Sequence, residues 1–81
     1  MTSRDQIKDW LELGVSQGYT HALIVCDTFS YEDFPVYISK DESAKERQQE
    51  EASKPMQIVM EVYNLSLDLM MQLSAGKAFF Y

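Results

Sequence analysis

Tyr19-Thr20-His21-Ala22-Leu23-Ile24-Val25-Cys26 is the stretch on which the fold turns. Ala22 to Cys26 is an unbroken apolar run close behind Gly18, and such a run after a helix stop reads as a strand. Side chains alternate along a strand, so Ala22, Ile24 and Cys26 share one face while His21, Leu23 and Val25 share the other. Apolar residues on both faces predict a strand that is covered on both sides. A second strand, Val36 to Ser39, is expected to open at Pro35 and to pair antiparallel with the first. Two strands alone are marginal in water, so a third strand or an intermolecular sheet must complete the ribbon.

Working outward, Ser3-Arg4-Asp5-Gln6 has the S-x-x-Q form of a capping box. Ile7, Trp10, Leu11 and Val15 then recur on one helical face, which predicts a helix over about residues 4 to 17. Gly14 weakens its last turn, and Gly18 is placed as the left-handed stop. Residues 40–54 are almost wholly polar and read as a solvated helix or a mobile linker, with the helix formers favouring a short exposed helix. Pro55 is read as the first turn of a strong helix, because Met56, Val59, Met60, Tyr63, Leu67 and Met70 follow a spacing close to helical. Ile58, Val62, Leu65, Leu69 and Leu73 widen that stripe until the helix is apolar on two sides. Asn64-Leu65-Ser66 offers a break with Ser66 capping a further helix, and Gly76 ends the helical region. Lys77 to Tyr81 is a third strand or a packing latch.

The expected fold is α+β in one domain, residues 1–81: an N-terminal helix, an antiparallel two- to three-stranded ribbon and C-terminal helices. A chain of 81 residues buries only roughly 60% of the surface its unfolded form exposes. Cys26 is the only cysteine, so no disulfide framework compensates, and homo-oligomerisation is expected to complete the core. Seven basic against thirteen acidic side chains leave a net charge of −6, which repels phosphate backbones and anionic lipid; neither nucleic acid nor membrane is an expected partner. The N-terminus lacks the layout of a signal peptide, and a cytoplasmic location is expected.

His21 and Cys26 are the single residues of their types and point to opposite faces of the proposed strand, so they form no nucleophile–base pair within it. Nucleotide-hydrolase, dinucleotide and serine-hydrolase glycine motifs are all missing, and no cofactor is expected. Asp27, Glu32 and Asp33 have the chemistry to hold a divalent cation but not the spacing of a calcium loop. The best candidate site is the aromatic connection. Asp27, Thr28, Phe29, Tyr31, Asp33, Phe34 and Tyr37 combine flat rings with hydroxyls and carboxylates, the mixture that stacks a base and holds a ribose. The plain alternative is that these rings close the hairpin over the helices. Lys45 and Arg47 are the cations to pair with a phosphate if one is bound.

Gly18-Tyr19-Thr20-His21-Ala22-Leu23-Ile24-Val25-Cys26-Asp27-Thr28-Phe29, then Tyr31-Glu32-Asp33-Phe34-Pro35-Val36-Tyr37, and later Met56-Gln57-Ile58-Val59-Met60-Glu61-Val62-Tyr63-Asn64-Leu65, resemble a family of small uncharacterised phage and bacterial accessory proteins. The resemblance implies a mobile-element accessory protein and carries over no catalytic residues. Accessory proteins of this class often act by stoichiometric binding. The leading expectation is therefore an oligomeric sponge that sequesters a nucleotide second messenger of host defence in pockets between subunits. An acidic inhibitor of a basic host protein is the alternative, and a metal-dependent phosphodiesterase-like enzyme using Asp27 and Asp33 is the third.

Overall fold

A computed structural model describes residues 2–75 and 77–81. The elements run α1 (Arg4–Ser16), β1 (His21–Asp27), β2 (Glu32–Ile38), α2 (Ala44–Ser53), β3 (Gln57–Asn64) and α3 (Leu69–Ser74). The strands form one antiparallel sheet in the order β2-β1-β3. The two-faced run Ala22–Val25 therefore occupies the centre, and all four residues are buried. On one face Ala22, Ile24 and Tyr63 pack with Ile7 and Leu11 of α1 and Leu73 of α3. On the other, Leu23, Val25, Val59 and Val62 lie with Ile38 and with Ala44 of α2. The layout is α+β, with helices on both sides of a small sheet.

The helical ends follow local chemistry. The Ser3 hydroxyl accepts from the Gln6 N–H (3.1 Å), and Gly18 stops α1 at φ 80°. Gly14 is buried for a reason the helix pattern does not show. A Cβ there would stand 2.8 Å from the Tyr37 ring and 2.9 Å from Leu65, so the missing side chain lets α1 seat on the sheet.

The expected helix from Pro55 is corrected: residues 57–64 are the third strand. Ile58, Val59 and Val62 are β-branched, and a segment with apolar residues on both faces, buried on both only over Glu61–Tyr63, is one that periodicity cannot tell from a buried helix. A register shift opposite Ile24/Val25 disturbs the alternation further, leaving Met60 as the extra residue between Val59 and Glu61. The further helix exists as α3, but its cap is Asp68, whose Oδ1 accepts from the Met70 and Met71 N–H groups, and not Ser66. The stop expected at Gly76 lies outside the described residues. Pro35 does not open β2. It sits mid-strand opposite Ile24, where a missing donor is tolerated because β2 is an edge strand.

Lys77–Tyr81 is a latch with one short parallel bridge, Val62 to Phe79. The Val62 N–H donates to Ala78 O (2.8 Å), and the Phe80 N–H returns a bond to Val62 O (2.9 Å). The buried Gln72 amide closes the next position of that edge. Its Oε1 accepts from the Asn64 N–H (2.7 Å), and its Nε2 donates to Asn64 O (2.8 Å).

Candidate functional site

The β1–β2 connection is shorter than the sequence suggests: only residues 28–31 separate the strands. Asp27 organises it. Its Oδ1 accepts from the Phe29 N–H (2.8 Å) and the Ser30 N–H (3.4 Å), while its carbonyl takes the Tyr31 N–H (2.7 Å). Tyr31 closes the turn at φ 58°, and Met56, in the turn entering β3, has φ 62°. The Thr28 N–H donates to Met56 O (2.9 Å), tying the two turns together. Two non-glycine residues held in the left-handed region at one end of a sheet are a costly arrangement, of order 1 kcal/mol or more each. The consequence is that Phe29 and Tyr31, both 76% exposed, are presented to solvent.

The two rings serve opposite faces. Tyr31 lies on the α1 side and lines a cleft of about 480 Å³ with Gln6, Trp10, Glu32 and Asp33. A second cleft of about 490 Å³ shares Thr2, Ser3 and Asp33 with the first and is lined by Arg4, Ile7, Met60, Glu61 and Lys77. Asp33 thus stands between an aromatic end and a cationic end. Across the ladder it faces Cys26, whose thiol is pushed up by burial and by the neighbouring Asp33 carboxylate.

The cationic end is built on a polar network. Arg4 Nη1 donates to Glu61 Oε1 (2.9 Å) and to the Tyr63 hydroxyl (3.0 Å), and Arg4 Nη2 donates to Ala75 O (3.3 Å). The Tyr63 hydroxyl donates to Glu61 Oε1 (2.9 Å), and Glu61 Oε2 accepts from the Ala78 N–H (3.2 Å). Burial and the Glu61 carboxylate hold the Tyr63 phenol far above its ordinary range. The Glu61 bond, working against burial, raises Arg4. This one carboxylate joins the start of α1, the end of β3 and the C-terminal latch.

The residues expected to form one site are divided by the structure. Asp33 and Tyr31 meet in the cleft. Phe29 and Phe34 lie on the α2 side, in a separate groove with Pro55 and Met56. Thr28 acts through its backbone. The Tyr37 hydroxyl donates to Trp10 O (2.7 Å), and its ring stacks on Tyr19 at 5.0 Å, so Tyr37 packs α1 and positions Trp10. Asp27 pairs with Glu32 in the ladder and Asp33 with Cys26, which places Asp27 and Asp33 on opposite faces of the sheet. Among the described residues no three His, Cys, Asp or Glu side chains converge as a metal site.

Neither expected cation joins the hairpin end. Lys45 Nζ stands 5.7 Å from the Tyr81 ring centroid, and Tyr81 O bonds His21 Nε2 (3.0 Å) at the other end of β1. A strand of that length places this end about 20 Å from the turn. Arg47 is matched by Glu42 (2.6 Å), Glu50 (3.4 Å) and Glu51 (3.4 Å). The two clefts are lined instead by Trp10 and by Arg4 and Lys77, residues whose sequence positions indicate a core stripe, a cap and a tail. Arg4 did carry a signal: a cation in the first turn opposes the helix dipole, so its placement calls for a specific carboxylate partner. No protein-family model, curated protein or solved structure matches the chain.

Proposed function

We propose that this is a phage-type accessory protein that binds a nucleotide of low charge stoichiometrically and releases it unaltered, sequestering a signal of host defence. The carrying observation is the pair of adjoining clefts that share Asp33, the first lined by Trp10 and Tyr31 and the second by Arg4 and Lys77. A base stacked on the aromatic end gains about 1–3 kcal/mol. The Asp33 carboxylate accepts from a ribose diol, and a single phosphate reaches Lys77 and the outer edge of Arg4. Glu32, Asp33 and Glu61 balance the two cations, so a cyclic or monoester phosphate suits the cleft better than a polyphosphate.

Native mass spectrometry and calorimetry with cyclic and ADP-ribose-type nucleotides test this reading. Whole-number uptake is expected, with the ligand recovered intact. Tyr31→Ala and Lys77→Ala, both at exposed positions, should each weaken binding about tenfold, the loss of one stacking or charge-assisted contact. Lys45→Ala and Arg47→Ala should leave it unchanged. No uptake by the native chain, or full affinity in both cleft variants, refutes the assignment, and a cleaved ligand supports the enzyme reading in its place.

One observation favours the inhibitor reading as well. Asp41, Glu42, Glu46 and Glu50 surround Arg47 along a shallow groove of about 270 Å³ on α2. A basic host protein bound there would be captured in a strongly salt-sensitive manner and lost in Glu46→Lys.

A further inference from the structure

The α2 side of the hairpin end carries a surface that the nucleotide reading does not use. Phe29, Phe34, Pro55 and Met56 line a groove of about 440 Å³. Phe29 is 76% exposed, Met56 56% and Phe34 36%, and the first two stand in or beside the turns held at positive φ. We infer that this groove receives a second copy of the chain, the Phe29 ring of each protomer entering the groove of the other.

Three observations select that occupant. The same surface provides both a projecting ring and the hollow beside it, which an interface with a twofold axis requires. It is also electrically quiet in a chain of net charge −6. Its one charged lining residue, Asp27, has its carboxylate bound by two N–H groups of its own turn. Elsewhere two such chains repel, and over this patch they can approach. The area fits a reversible contact. With apolar side chains of roughly 150–200 Å² each, the exposed fractions leave about 300 Å² of uncovered apolar surface per chain. An interface that is about 57% apolar then covers around 1,000 Å² in total, the threshold for specific association. The dimer is therefore weak, and it completes the hydrophobic burial that an 81-residue chain lacks.

Sedimentation equilibrium of the full chain over roughly 10–500 μM, at about 0.05 and 0.5 M NaCl, tests the inference. A monomer–dimer equilibrium with Kd on the order of 10–100 μM is expected, tightening several-fold at the higher salt as the like charges are screened. Phe29→Ser, at a solvent-exposed position that leaves the core intact, should weaken it at least tenfold, whereas Met70→Ser on exposed α3 should not. A native chain that stays monomeric at the highest concentration overturns the inference, as does undiminished association in Phe29→Ser or association that weakens with salt. Nucleotide uptake measured on the same Phe29→Ser sample separates the two proposals, because the ligand cleft lies on the opposite face of the sheet.

Discussion

Replacing Gly14 by alanine should destabilise this protein, against the direction helix propensity dictates. In an exposed helix interior the exchange gains about 1 kcal/mol. Here the new Cβ would lie 2.8 and 3.0 Å from two Tyr37 ring atoms and 2.9 Å from Leu65 Cδ1. The Tyr37 ring cannot swing aside freely, since it is stacked on Tyr19 and its hydroxyl is bound to Trp10 O at 2.7 Å. Overpacking of this kind costs about 3 kcal/mol at the upper end of its usual range. The net loss is then about 2 kcal/mol, which for a domain of this size lowers Tm by about 8–16 °C. Thermal and urea unfolding followed by circular dichroism read it directly. Adding Tyr37→Ala should reveal strong coupling, with the second change costing less in the Gly14→Ala background than alone. A Gly14→Ala protein as stable as the native one would refute the argument that this glycine is set by the approach of α1 to the sheet.

Two further predictions concern buried carboxylates. Glu61→Gln removes the charge that holds Arg4, Tyr63 and the Ala78 N–H together, and because Arg4 is half exposed the cost should be about 2 kcal/mol of unfolding free energy, read as a lower urea midpoint. The Phe80 N–H, bound to Val62 O beside that network, should exchange faster with solvent in the same variant. Glu51 is buried, which raises its pKa, but bonds from Gln57, Lys54 and Arg47 outweigh burial and hold it below the ordinary glutamate range. A lowered folded-state pKa gives stability that is complete above the unfolded value, near pH 4.3, and is lost as pH falls through the folded value. Acid titration of unfolding should therefore show a shallower slope in Glu51→Gln than in the native chain; equal slopes would remove Glu51 from the acid response.

Much was legible in the sequence where the determining interactions are local. The Ser3 cap and the Gly18 stop bound α1 because each acts on its own turn, and the polar stretch before Pro55 formed the exposed α2 that its helix formers specify. The two-faced run Ala22–Val25 required cover on both sides, and it received it. That same logic misled at residues 57–64. A segment apolar on both sides satisfies a buried helix or a buried strand, and the choice fell to pairing with β1, since β1 has two edges and β2 satisfies only one.

The candidate site shows the same division. Asp27 and the aromatic turn were identifiable as a turn, but alternation along β2 sends Asp33 to the α1 face and Phe34 to the α2 face, so one stretch of sequence serves two surfaces. The cleft's partners for Asp33 and Tyr31 come from 20 or more positions away, and only the folding of α1 and the C-terminal latch onto the sheet brings Trp10, Arg4 and Lys77 to them. Caps, stops and alternation are properties of a few neighbouring residues and are fixed by the sequence itself. Strand pairing, the seating of α1 through Gly14, and the meeting of Arg4 with Glu61 depend on side chains distant in the chain, and only the folded structure decides them.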